Sequence, residues 1–188
     1  MSVIMRDCIG LNARRVFGMF GPRSPVACYV NGPNSVWTPQ EEHLFGEKIR
    51  IAVYPGMPEQ ARVARVLDAS LSDRGDATPG DVPAFVHSRF TYGHSDATPY
   101  TDLDTLVHHV DTFLTAPRLW LAWWWERGEP TSRAPLWEEL VRLGLHEAQA
   151  TAVIELTWAW QFAAPGAGLP SNAFWDESMV FGKLDWSR

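Results

Sequence analysis

The stretch ARVLDAS, Ala64 to Ser70, is an apolar run that ends on an acid, Asp68, with a hydroxyl two positions later. In an extended chain, residues i and i+2 share a face about 6.6–7 Å apart. Two carboxylates at that spacing would supply paired acid and base chemistry across a bond, and Asp68 with Ser70 keeps half of such a pair. Other acids also fall at the ends of apolar runs: Asp7 near the first, Glu126 after a Trp-rich one, and Asp176 with Glu177 in the last. A single strand-end acid ordinarily caps a helix or solvates a loop. Several delivered to one rim would make a site.

The elements that must position them alternate along the chain. Val3 to Ile9, Val26 to Val30, Ile49 to Tyr54, Val63 to Leu67 and Ala97 to Thr101 read as strands. Arg118 to Trp125, Ala152 to Phe162 and Phe174 to Phe181 extend the series. Between them, Thr38-Pro39 with Glu41 and Thr78-Pro79 with Asp81 open helices in the same way, the threonine capping and the proline at the first helical position. Leu106, Val107, Val110 and Leu114 mark a helix over Asp104 to Leu114, and Leu136, Trp137, Leu140 and Val141 mark another. Near-continuous apolar strands alternating with helices predict an α/β fold with a parallel sheet. Seven or eight strands in 188 residues predict a compact (β/α) TIM-like barrel with short or missing helices, formed by residues 1–188 as a single domain. In such a barrel the loops at the C-terminal strand ends converge, so acids there meet. An open doubly wound sheet is the competing architecture, but no Gly-rich phosphate loop follows any strand.

Composition removes several function classes. A net charge of −6, a pI near 5.5 and scattered arginines supply no field for nucleic acid. No run approaches the length of a membrane span, and the N-terminus lacks a basic segment leading into a long apolar one, so neither a membrane nor the secretory route is expected. The setting expected is cytoplasmic, unless the chain leaves the cell without a signal, for example as part of a virus particle. Cys8 and Cys28 sit in apolar segments and read as buried free thiols, with a disulfide open to them if the segments pair. The six histidines show no ligand spacing, since His108 and His109 point about 100° apart on a helix; neither a metal nor a cofactor is expected. Ten tryptophans stand out. Burial is the ordinary fate of an indole. A sugar-stacking platform is the functional alternative, with Trp125 beside Glu126, and Trp158, Trp160 and Trp175, as groove-lining residues.

The ordered set MRDCIGLN, VACYVNGPNSVWT, ARVLDAS, GDATPGDVPAFVHSR, WQF and WDESMVF resembles the family 25 glycoside hydrolases and their lysozyme-like relatives. These are short-helix barrels that cleave peptidoglycan between its sugars. The resemblance places family positions on Asp7, on Asp68 with Ser70, and on Asp176. It implies that a glutamate at the Ser70 position would be the proton donor, while the aspartates orient substrate and stabilise charge. A hydroxyl cannot act as a general acid near pH 7. The expectation is a non-catalytic lysozyme-like barrel acting as a cell-wall glycan-binding or structural module. Its partners would be glycan or other structural proteins of a phage tail or capsid, with self-association open. One alternative is an active peptidoglycan glycoside hydrolase whose acid has moved, for example to Asp73, Asp76 or Glu126. Another is a purely architectural virion protein with its rim plugged.

Overall fold

A computed structural model describes residues 3–32, 36–53, 62–70, 77–124, 130, 132–173 and 175–181. Six strands follow one another in parallel: β1 (Val3–Asp7), β2 (Val26–Tyr29), β3 (Lys48–Ala52), β4 (Val66–Asp68), β5 (Thr98–Asp102) and β6 (Leu119–Ala122). They continue to β7 (Thr157–Pro165), which carries a two-residue strand, β8 (Gly168–Leu169), and then to β9 (Asp176–Val180). Because β6 pairs with β7, β7 with β9, and β9 with β1, the sheet closes into a barrel of eight strands, with β8 as an appendage.

The barrel is mixed, which corrects the all-parallel expectation. β9 runs antiparallel to both its neighbours, β1 and β7. The cause is the connection after β7. A parallel return needs a crossover of about a dozen residues or more, usually helical. The chain instead turns at Gly166 and Gly168, both at positive φ (79° and 84°), and the described residues between β7 and β9 form the short β8 and no helix.

Helices are few and short, as expected. α1 (Ala13–Phe20) follows β1, and α2 (Pro39–Glu42), a single turn, follows β2. The Thr38–Glu41 capping box forms as read from the sequence, with Glu41 N–H donating to Thr38 Oγ1 and Thr38 N–H to Glu41 Oε2. Thr78 and Asp81 repeat it ahead of α3 (Val82–Thr91). The helix expected over Asp104 to Leu114 breaks at His109 into α4 (Leu103–His108) and α5 (Val110–Phe113), with Asp102 capping the first through Thr105 N–H at 2.8 Å. After β6 come α6 (Ala134–Arg142) and α7 (Glu147–Leu156). The strand expected over Ala152 to Phe162 therefore starts as helix. Glu147 to Leu156 is rich in good helix formers, and only from Thr157 do residues with larger rings take the chain into the barrel wall.

Strand alternation sorts the side chains into two layers. Met5, Ala27, Ile49, Ile51, Val66, Trp120, Trp158, Ala159 and Val180 fill the barrel, with Trp120 and Trp158 edge to face at 6.4 Å. Leu67, Leu103, Leu106, Phe113, Leu119, Leu121, Leu136, Leu140, Val153 and Trp160 pack outward under the helices. Cys8 and Cys28 lie in a third cluster beneath α1, free and fully protonated: burial pushes Cys28 up to about 12 and Cys8 higher still.

Candidate functional site

The barrel mouth is the rim where the parallel strands end. On β1, alternation turns Met5 and Asp7 inward and Arg6 outward. There Arg6 Nε donates to Glu177 Oε1 at 3.2 Å and its guanidinium lies over Phe20. On β9 the same alternation separates Asp176 from Glu177, so Glu177 belongs to the barrel's outside. Asp7 pairs in register with Asp176. Asp176 opens its strand, and it reaches the rim where β1 ends because β9 runs backwards.

These two carboxyls face each other across the β1–β9 ladder and act on each other. Asp7 is only 5% exposed. Burial, then the Asp176 carboxylate, then the charge of Asp68, raise its pKa well above the aspartate range. Asp176 is raised by burial, and the hydrogen bonds from Asp7 and Gln161 work the other way. Two enclosed carboxyls that meet in this manner hold one proton between them. Its place is Asp7.

Asp68 closes β4 opposite Tyr100 of β5. β4 stops at Asp68, and the chain folds into a turn in which Asp68 Oδ1 accepts from Ser70 N–H at 3.2 Å and from Ser70 Oγ at 2.7 Å. An aspartate bonding to the backbone two residues on is a common turn device.

Three further residues belong to this mouth. Tyr29 and Tyr100 are held as neutral phenols by burial and by the charges of Asp7 and Asp68. Tyr100 donates its hydroxyl hydrogen to Gln161 Oε1. A signal for Gln161 existed: it is the one amide in the apolar run Trp158 to Ala163, and a polar residue inside a buried strand asks for a partner.

Three of the tryptophans expected to line a groove fall within the described residues. Trp158, 5% exposed, sits deep in the barrel beneath the Arg65 guanidinium, 4.6 Å from its ring centroid. Trp160 faces the outer core, stacked on Trp123 at 5.5 Å, its Nε1 donating to the Trp123 carbonyl. Trp175 packs against Phe20 outside the barrel. All three find apolar surface to cover, the ordinary fate of an indole. Trp125, Glu126, Asp73 and Asp76 lie outside the described residues. Among the described residues, the indole left in the open is Trp124, 55% exposed. It follows β6 by two residues, at the rim where the parallel strands end.

Among the described residues no cluster of histidine, cysteine or acid has a metal-binding arrangement, and no helix is long and apolar enough to cross a membrane.

No protein-family model matches the sequence, and neither does any curated protein. Among solved structures, a family 25 glycosyl hydrolase from Bacillus anthracis is similar, with a TM-score of 0.52 and 12% identity over 96% of this chain and 89% of that one. A likeness at this level of identity shows a shared fold. It reaches the fold expected from the ordered motifs, and says nothing about activity.

Proposed function

We propose that the barrel is a non-catalytic module that binds cell-wall glycan at its mouth. The observation that carries this reading is the bond between Ser70 and Asp68: where the resemblance would place a proton-donating glutamate, a hydroxyl is engaged with the neighbouring carboxylate at 2.7 Å. Loss of a placed acid forfeits about 10²- to 10⁴-fold in rate. What remains suits binding. Carboxylates and the phenols of Tyr29 and Tyr100 take sugar hydroxyls, and the exposed ring of Trp124 covers the apolar face of a pyranose. A seat on the tail or capsid of a phage particle is part of the same proposal and rests on the family resemblance alone.

The test is a pull-down with insoluble peptidoglycan alongside an assay for released reducing sugar. The proposal expects the chain to sediment with the wall, no sugar to appear, and Trp124→Ala to weaken sedimentation about tenfold. Release of sugar that Asp68→Asn abolishes would overturn it. Neither sedimentation nor turnover would leave an architectural role.

A second reading has its own observation behind it. Burial and acid neighbours raise the Asp7 carboxyl well above the aspartate range, which is the direction a relocated acid of an active glycoside hydrolase would need. That reading requires sugar release that vanishes in Asp7→Asn and declines as pH rises through the Asp7 titration.

A further inference from the structure

The Asp7–Asp176 pair poses a question that its chemistry alone does not answer. Two aspartates sharing one proton are alike, so whichever keeps it is chosen by the surroundings. From β4 comes the charge of Asp68, and from β2 and β5 the phenols of Tyr29 and Tyr100. Cys8, next along from Asp7, is a neutral thiol on the outer side. Burial, deeper at Asp7, and the Asp68 charge already favour the proton on Asp7. Gln161 adds to them from the other side: the β7–β9 register sets it opposite Ser178, two residues from Asp176 on the same face, and its amide favours the charged form of Asp176.

An amide can present either end. With its oxygen toward a carboxylate it would repel; with its nitrogen it donates. Tyr100 resolves the choice. Its phenol donates to Gln161 Oε1, which leaves the Nε2 hydrogens for Asp176. The backbone helps to bring the amide there: the β7–β9 register shifts between Gln161 and Ala163, the kind of irregularity that re-aims a side chain beside a site.

We propose that Gln161 and Tyr100 are positioning residues that make Asp176 the charged member of the pair and Asp7 the member that holds the proton. The donors run one way: Tyr100 hydroxyl to Gln161 oxygen, Gln161 nitrogen to Asp176, Asp7 hydroxyl to Asp176. The mouth therefore presents one neutral carboxyl at a defined place beside charged ones. A ligand meets a donor at Asp7 and acceptors at Asp68 and Asp176. This inference concerns the same mouth as the glycan-binding reading but does not depend on that ligand.

The experiment is a carbon-detected NMR titration of the full chain labelled at the aspartate carboxyl carbons, with Asp7→Asn and Asp176→Asn used for assignment. In the native chain Asp176 is expected to titrate at lower pH than Asp7. Gln161→Leu should move Asp176 upward by about one pH unit, the worth of one hydrogen bond to a charged group, and move Asp7 downward. Tyr100→Phe, which removes a single oxygen, should shift both curves in the same directions by less. If Gln161→Leu fails to fold, Tyr100→Phe decides the matter. Unmoved curves in a folded variant, or a native Asp176 that titrates above Asp7, would overturn the assignment. No ligand enters the measurement, so its failure is separate from failure of the glycan pull-down.

Discussion

The floor and the mouth of the barrel treat buried charge in opposite ways. At the floor, two nearly inaccessible guanidiniums converge on one carboxylate: Arg65 lies 3.5 Å from Asp96, and Arg89 bonds the other oxygen of the same acid. Arg89 also donates to the Ala64 carbonyl at 3.0 Å, and Arg65 covers Trp158. Burial alone would raise Asp96, but the hydrogen bond from Arg89 and the charges of both arginines more than offset it and hold the acid below its usual range. At the mouth, every charged group acting on Asp7 is another acid. The floor is arranged for the fold. The mouth works against it, and like charges crowded into an enclosure are the mark of a place kept for chemistry or binding.

The contrast is sharpest in Asp96→Asn, which deprives two buried guanidiniums of their shared carboxylate. It should cost about 3 kcal/mol, at the lower end for a broken buried ion pair because Asp96 is partly exposed. In a chain of this size that lowers the thermal midpoint by roughly 6–12 °C, read by circular dichroism. A change near zero would remove the distinction between the two ends.

Asp7→Asn should have the opposite sign. At pH 7 it relieves a buried carboxyl of acid neighbours, and the midpoint should rise by about 2–4 °C, the shift made by about 1 kcal/mol. A fall of similar size would mean that the mouth is built for stability after all.

The two ends should also differ in their response to pH. Asp7 and Asp176 are raised in the folded chain, so the unfolded chain releases those protons first and stability is lost as pH rises through their folded titrations. The advantage of Asp7→Asn should therefore shrink toward zero below the ordinary aspartate value of 3.8. Asp96 is lowered, so its contribution is held above that value and lost as pH falls through its folded titration. Unfolding midpoints of the native chain and both variants, taken across pH 3 to 8, check both signs. The smallest effect belongs to Ser70→Ala, which removes one partly exposed hydrogen bond at the rim and should cost no more than about 1 kcal/mol in urea unfolding.

Much of the scaffold was legible because its signals are local. Thr38 with Glu41, and Thr78 with Asp81, announce helix starts through side chains three residues apart. The β7 region was not, because Ala152 to Phe162 is apolar but for Glu155, Thr157 and Gln161, and a mostly apolar run in a buried element reads alike as helix or strand. The tryptophans were illegible for another reason. Trp123, Trp124, Trp158 and Trp160 are equivalent by composition, and which face each takes depends on where the strands end and which layer covers them. Gln161 and Tyr100 carried a faint signal, as polar groups in buried strands, but nothing local says that they meet.

From its order of apolar runs and terminal acids, the chain by itself determined an alternating barrel with carboxylates at its strand ends. Only the tertiary structure decided that Asp176, the first residue of its strand, lies against Asp7, the last of its own. A connection too short to cross the barrel reverses β9, and closure brings β9 against β1. Once the two acids are enclosed together, water no longer screens them, and burial raises the pKa of both.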